Sequence, residues 1–183
     1  MFQFKIITSA AVLFSALNAP ANAGSKLAGE VRKPDQGCGI VNQAYKNTRH
    51  ANTYSEVVNV VQKDKLQLLQ ERRVTTSGAF ERVAPNLKWT KLDKAPPADT
   101  EYLRFSYCTY VDAKGGPHLR AYWNRPPQYA NSEVWLTRDF QNLRKVRREF
   151  PFYDEEFPSK TLLTTFDYDI RRVKPPAPEE VLP

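Results

Sequence analysis

Histidine, cysteine and glycine are scarce in this chain of 183 residues, which holds two, two and seven of them respectively. His50 and His118 with Cys38 and Cys108 make no spaced ligand cluster, so neither a metal nor another cofactor is expected. The cysteines are too far apart for the C-x-x-C spacing in which one thiol resolves the other, which argues against redox chemistry. No glycine-rich phosphate loop, G-x-S-x-G elbow or H-E-x-x-H helix occurs. The sequence therefore gives no catalytic residue, and the expectation is a protein that is not an enzyme. A long apolar run is missing too. The longest, Ile6 to Leu17, is too short to cross about 30 Å of hydrocarbon.

That run has the form of a secretory signal. Lys5 precedes it, and Ala21 and Ala23 supply the small side chains of an A-x-A cleavage site, so 1–23 is read as a signal peptide cleaved after Ala23. The expectation is a periplasmic or secreted protein that does not span the membrane once the signal is removed. Removal takes Lys5 and leaves 160 residues, one domain's worth, with the formal charge falling from +7 to +6. A basic exported protein commonly meets lipid headgroups or acidic glycans, although such charge also serves solubility alone. Nucleic acid is not expected as a partner in that compartment. Two cysteines in an oxidising environment point to one disulfide, Cys38 to Cys108, closing a loop of about 70 residues.

The remaining chain alternates. Residues 24–37 are a polar, flexible lead-in, and Asp35 is placed to cap a helix whose apolar positions are Ile40, Val41, Ala44 and Tyr45. "TYSEVVNVVQ" and "LQLLQERRVTT" read as a hairpin, and "SGAFERVAPNLKWTKLD" as two short strands about Pro85-Asn86. Residues 94–99 form a stiff connector. "EYLRFSYCTYVDAKGGPHLRAYW" is a strand, a turn at Gly115-Gly116 and a second strand. Strict alternation puts Leu103, Phe105, Tyr107 and Val111 on one face and Cys108 on the other. After a loop at 124–131, "EVWLTRD" and "NLRKVRREF" form another hairpin. Residues 151–159 are an irregular excursion, "TLLTTFDYDIRRV" is a last strand and 175–183 a proline-rich tail. The fold class is mainly β with a covering helix (α+β). A curved antiparallel sheet or half-barrel of about seven or eight strands follows an N-terminal helix in one domain, 38–174.

This order of "TYSEVVNVVQKDKLQLLQERRV", "LKWTKLD", "VWLTRDFQNLRKVRREF" and "TTFDYDIRRVKPP" resembles the LolA-like superfamily of periplasmic lipoprotein carriers. The resemblance implies a half-closed sheet lined by apolar side chains and covered by helices, with room for acyl chains. Leu103, Phe105, Tyr107, Leu119 and Trp123 are the candidate apolar lining, and Arg144, Lys145, Arg147, Arg148, Arg171 and Arg172 a candidate basic rim. The functional expectation is sequestration of a lipid or anionic amphiphile. A non-enzymatic module that contacts an envelope or host protein is the alternative, and a hydrolase with an unrecognised site a third. Asp154, Glu155 and Glu156 and the pair Asp167 and Asp169 are the carboxylates available to such a hydrolase.

Overall fold

The computed structural model describes residues 38–63, 65–93, 104–112, 114–125, 128–151 and 160–182. The signal segment 1–23, the lead-in 24–37, the connector 94–99 and most of the excursion 151–159 lie outside them, as does Leu103.

Helix α1 (Gly39–His50) buries Val41, Asn42, Ala44 and Thr48. Tyr45 packs on the same side, whereas Ile40 is exposed. Nine strands follow: β1 (Tyr54–Gln62), β2 (Lys65–Thr75), β3 (Gly78–Val83), β4 (Thr90–Leu92), β5 (Phe105–Asp112), β6 (His118–Arg125), β7 (Gln128–Leu136), β8 (Leu143–Glu149) and β9 (Thr161–Asp167). They form one open antiparallel sheet in the order β4-β3-β2-β1-β9-β8-β7-β6-β5. The strands number nine and not seven or eight. Of the loop expected at 124–131, Asn124 and Arg125 belong to β6 and 128–131 to β7, and the two strands pair antiparallel as far as Arg125 and Gln128. Asn124 and Asn131, poor strand formers in isolation, are held there by the ladder itself. Gly116 serves the β5–β6 turn with φ +102, and a Cβ there would also crowd the Leu136 carbonyl oxygen at 3.2 Å.

Three links bind α1 to one half of the sheet. Cys38 and Cys108 form the expected disulfide, joining the residue before the helix to β5. The Asn42 carboxamide accepts from the Phe105 N–H at 2.9 Å and donates to its carbonyl at 2.8 Å, standing in for a strand partner. Near the other end, Thr48 Oγ1 accepts from the Leu143 N–H at 2.9 Å, and the Tyr168 hydroxyl, 2.8 Å from Thr48 Oγ1, donates to the Leu143 carbonyl at 2.7 Å. Burial holds the Tyr168 phenol up, well above its usual range, so it stays protonated for this role.

Strand β5 departs from simple alternation. Ser106 pairs with Tyr122 and Thr109 with Arg120, so Tyr107 and Cys108 together oppose Ala121. This bulge, with Tyr107 at φ +54, puts Phe105 and Cys108 on the same, helix-facing side and turns Tyr107 to the other. The faces read from strict alternation are corrected accordingly.

The proline-rich stretch set apart as a tail lies against the sheet. Pro176 and Val173 are buried, and Val181 bridges Trp89. The Trp89 N–H donates to the Glu180 carbonyl at 3.3 Å, and the Leu182 N–H to that of Trp89 at 2.8 Å. Arg73 and Arg82 stack over the Trp89 ring at 4.5 and 4.8 Å while both bond Glu71. The fixed φ of Pro175 and Pro176 suits a stretch without ladder bonds, after which a 3-10 turn at Pro178–Glu180 brings Val181 and Leu182 to Trp89.

Two stability outcomes are expected. Replacing both cysteines by serine removes a closed loop of 70 residues and costs about 4 kcal/mol in urea unfolding, a difference that vanishes when both proteins are measured in reductant. Deleting 175–183 uncovers Trp89, lowers stability by about 1.5–3 kcal/mol and shifts tryptophan emission to the red.

Candidate functional site

The two faces of the sheet differ in what they bury. On the helix-facing side β1 presents Tyr54, Glu56, Val58 and Val60, β2 presents Arg72 and Val74, and β3 presents Ala79 and Glu81. Across the sheet β9 adds Leu162, Thr164 and Phe166, β8 adds Val146 and Arg148, and β7 adds Ala130, Ser132 and Val134. Charged residues thus stand inside rows of apolar ones.

Arg49, at the end of α1, makes a bidentate pair with Glu56 at 2.6 and 2.8 Å. Arg72 reaches Glu56 at 3.3 Å and Glu81 through Nε at 3.1 Å, and Gln70 donates to Glu81 at 2.6 Å. Burial by itself would raise the Glu56 carboxyl, but the guanidinium of Arg49, helped by Arg72 and Arg148, holds it down to about 2.

Arg148 is the exception in this network. It is buried, with 8 % of its surface exposed, and its guanidinium lies 4.9 Å over the Trp123 ring. Nη1 donates to Thr164 Oγ1 at 3.0 Å, while buried Nε has no hydrogen-bond partner. Ser132, directly opposite Arg148 in the β7–β8 ladder, also has a buried Oγ without a partner. Among the described residues no carboxylate lies within ion-pair distance of Arg148. Desolvation accordingly lowers its pKa to about 10, despite the field of Glu56. Among the described residues Arg49 and Arg72 share this face with the carboxylates of Glu56 and Glu81, the exposed Arg125 adds a further positive charge that acts on Arg148, and Arg148 has no carboxylate of its own.

The chain matches no protein-family model, and no curated protein is significantly similar to it. What the two faces can do follows from their own chemistry.

Of the candidate lining, Phe105, Leu119 and Trp123 are buried on the helix-facing side, where Phe105 meets Tyr45 edge-on at 6.1 Å and Trp123 meets Phe150 at 6.0 Å. Tyr107 stands on the opposite face, half exposed. The candidate basic rim is not brought together, because neighbouring residues of a strand point to opposite faces. Arg148 points inward. Arg147 points outward, 2.7 Å from Glu149 and 3.9 Å from Glu133. Lys145 lies 3.7 Å over the outward Trp135 ring, and burial followed by the Arg144 charge lowers its pKa. Arg144 is exposed beside the Gly115-Gly116 turn. Arg171 and Arg172, past the end of β9, are exposed and pair with Asp169 and Asp167 at 2.9 and 2.8 Å.

The hydrolase candidates are engaged otherwise. Asp167 and Asp169 hold those arginines, Asp154, Glu155 and Glu156 lie outside the described residues, and His118 stacks on Trp135 at 4.3 Å. Among the described residues no three His, Cys, Asp or Glu side chains gather as a metal site. Sequence reasoning missed Arg49, Glu56, Arg72, Glu81 and Ser132. A signal existed for one of them, since Glu56 shares its alternation phase with Tyr54, Val58 and Val60; for Arg148, already a rim candidate, the shared phase with Val146 and Phe150 marked the inward direction.

The Glu56 carboxyl sets a pH dependence. Its folded pKa of about 2 lies below the ordinary 4.5, so its contribution is present above about pH 4.5 and is lost as pH falls through 2. The expected size is about 3 kcal/mol. Glu56→Gln removes that acid branch and leaves buried guanidinium unpaired, so urea unfolding from pH 7 to 2 is expected to show lower stability at pH 7 and a flatter acid limb.

Proposed function

We propose that this protein is an exported, non-catalytic binding protein that takes an amphiphile with an anionic head on the helix-facing side of its sheet. The single observation that carries the reading is Arg148: a buried guanidinium with an unpartnered Nε beside an unpartnered Ser132 Oγ, among Trp123, Val146 and Leu162. A carboxylate or phosphate there gains charge-assisted hydrogen bonds from a donor already stripped of water. The apolar part of the ligand would lie along the neighbouring aliphatic and aromatic side chains, at about 0.8 kcal/mol per buried methylene.

Export to an oxidising compartment, with removal of 1–23, belongs to the same proposal and is supported by the disulfide. So does the likeness to the LolA-like carriers, including the curvature that would make the helix-facing side a concavity. The head is assigned to one interior arginine and not to a ring of rim arginines.

The test exploits a conflict between stability and binding. A buried cation with no carboxylate within ion-pair distance is costly to desolvate, and an apolar side chain in its place removes that cost without leaving an unpaired partner. Arg148→Leu is therefore expected to keep or raise the melting temperature of the ligand-free protein while abolishing binding of oleate, measured by native mass spectrometry and calorimetric titration. Mono-olein, with the same chain and no charge, should bind both proteins equally weakly. Failure of the wild-type protein to bind oleate, or equal binding by Arg148→Leu, would count against the reading.

A further inference from the structure

The face turned away from α1 carries a separate groove of about 460 Å³, lined by Tyr107, Tyr122, Arg120, Asn131, Glu133, Arg147 and Glu149 with the backbone of Ala121 and Ser132 between them. Its side chains come from four strands in register. Arg120 lies opposite Glu133, Tyr122 opposite Asn131, Glu133 opposite Arg147 and Asn131 opposite Glu149. Two guanidinium groups meet two carboxylates, and Arg147 bonds Glu149 at 2.7 Å, so the groove is charged but balanced. Among the described lining residues a polyanion finds no surplus of positive charge, and an acyl chain finds no large aliphatic side chain.

The described lining offers two phenol rings and a set of planar, multidentate polar groups. Tyr107 is presented by the β5 bulge at φ +54, a conformation that non-glycine residues seldom adopt, and the next residue is anchored through the disulfide. Tyr122 lies beside it and is backed by Tyr129, stacked at 6.1 Å. Aromatic faces take the C–H faces of pyranose rings, while carboxylate, carboxamide and guanidinium groups each span two neighbouring hydroxyls. Its lining residues span four adjacent strands, which lie about 4.8 Å apart, a reach that suits a chain of sugars and not a single ring.

We infer that this groove is a binding site for an uncharged oligosaccharide, with Tyr107 and Tyr122 as stacking platforms and Glu133, Arg120 and Asn131 as hydroxyl partners. The site is on the opposite face from Arg148 and stands independently of the amphiphile reading.

Calorimetric titration of the full chain with maltohexaose, cellohexaose and chitohexaose, with heparin as the polyanionic comparison, tests it. At least one neutral hexasaccharide is expected to bind. Tyr107→Ala and Tyr122→Ala should each weaken binding about tenfold with unchanged melting temperature. Tyr107→Phe should retain it, and Arg148→Leu should leave it unaltered. Absence of binding by all three sugars at millimolar concentration overturns the inference. Undiminished binding by the Tyr107→Ala, Tyr122→Ala double variant does so too, as does preferential, salt-sensitive binding of heparin. A melting temperature lowered in Tyr107→Ala is answered by Tyr107→Phe, which keeps the ring and must then keep the affinity.

Discussion

The grip of one short helix on the sheet is the constraint on which the rest depends. An open nine-stranded sheet has two edges and two faces to satisfy, and α1 is the single α-helix among the described residues. It is tied covalently to β5, the strand at one edge, through Cys38 and Cys108, and Asn42 completes the backbone hydrogen bonding of Phe105. Thr48 and Tyr168 then fasten it to β8 near the middle of the sheet. An edge strand with unmet donors and acceptors invites pairing with other chains, and a side-chain amide in place of a strand removes part of that invitation. At the far edge β4 is short, and the strap that ends at Leu182 covers Trp89.

Charge is distributed by the same geometry. The sheet separates residues that are neighbours in sequence, so Arg147 and Arg148 serve different faces. Outward arginines meet carboxylates in partly solvated pairs whose individual contribution is small. Inward, Glu56 and Glu81 compensate Arg49 and Arg72, and Arg148 is left with one hydrogen bond and an aromatic ring. Burying a cation on such terms lowers stability, which is why the proposed anionic head is assigned to Arg148 and not to the exposed basic residues. Over β5 to β8 the outward face has the opposite character among the described residues: paired charges, two tyrosine rings and a groove.

Much of the architecture was legible in the sequence. Alternation located the β1–β2 and β7–β8 hairpins and the β5–β6 pair, the helical spacing of Val41 and Ala44 located α1, and two cysteines gave one disulfide. Two strand features were not legible. Strand β7 takes in the last four residues of a supposed loop, 128–131, because pairing with β6 overrides the weak propensity of asparagine. The β5 bulge leaves no mark in the alternation of "RFSYCTYV", and it reverses the side on which Cys108 and Tyr107 lie.

The sequence by itself determined the class of fold, because burial on a pleated surface imposes a period of two that composition carries openly. It also determined that the cysteines would pair and that the chain lacks the motifs of common catalytic sites. Only the tertiary structure decided which arginine is buried without a carboxylate, which tyrosines flank a groove, and that the proline-rich end is a strap over Trp89. Those outcomes depend on register between strands distant in sequence. A shift of one residue, such as the bulge at Tyr107, exchanges inside for outside without altering a single letter of the pattern.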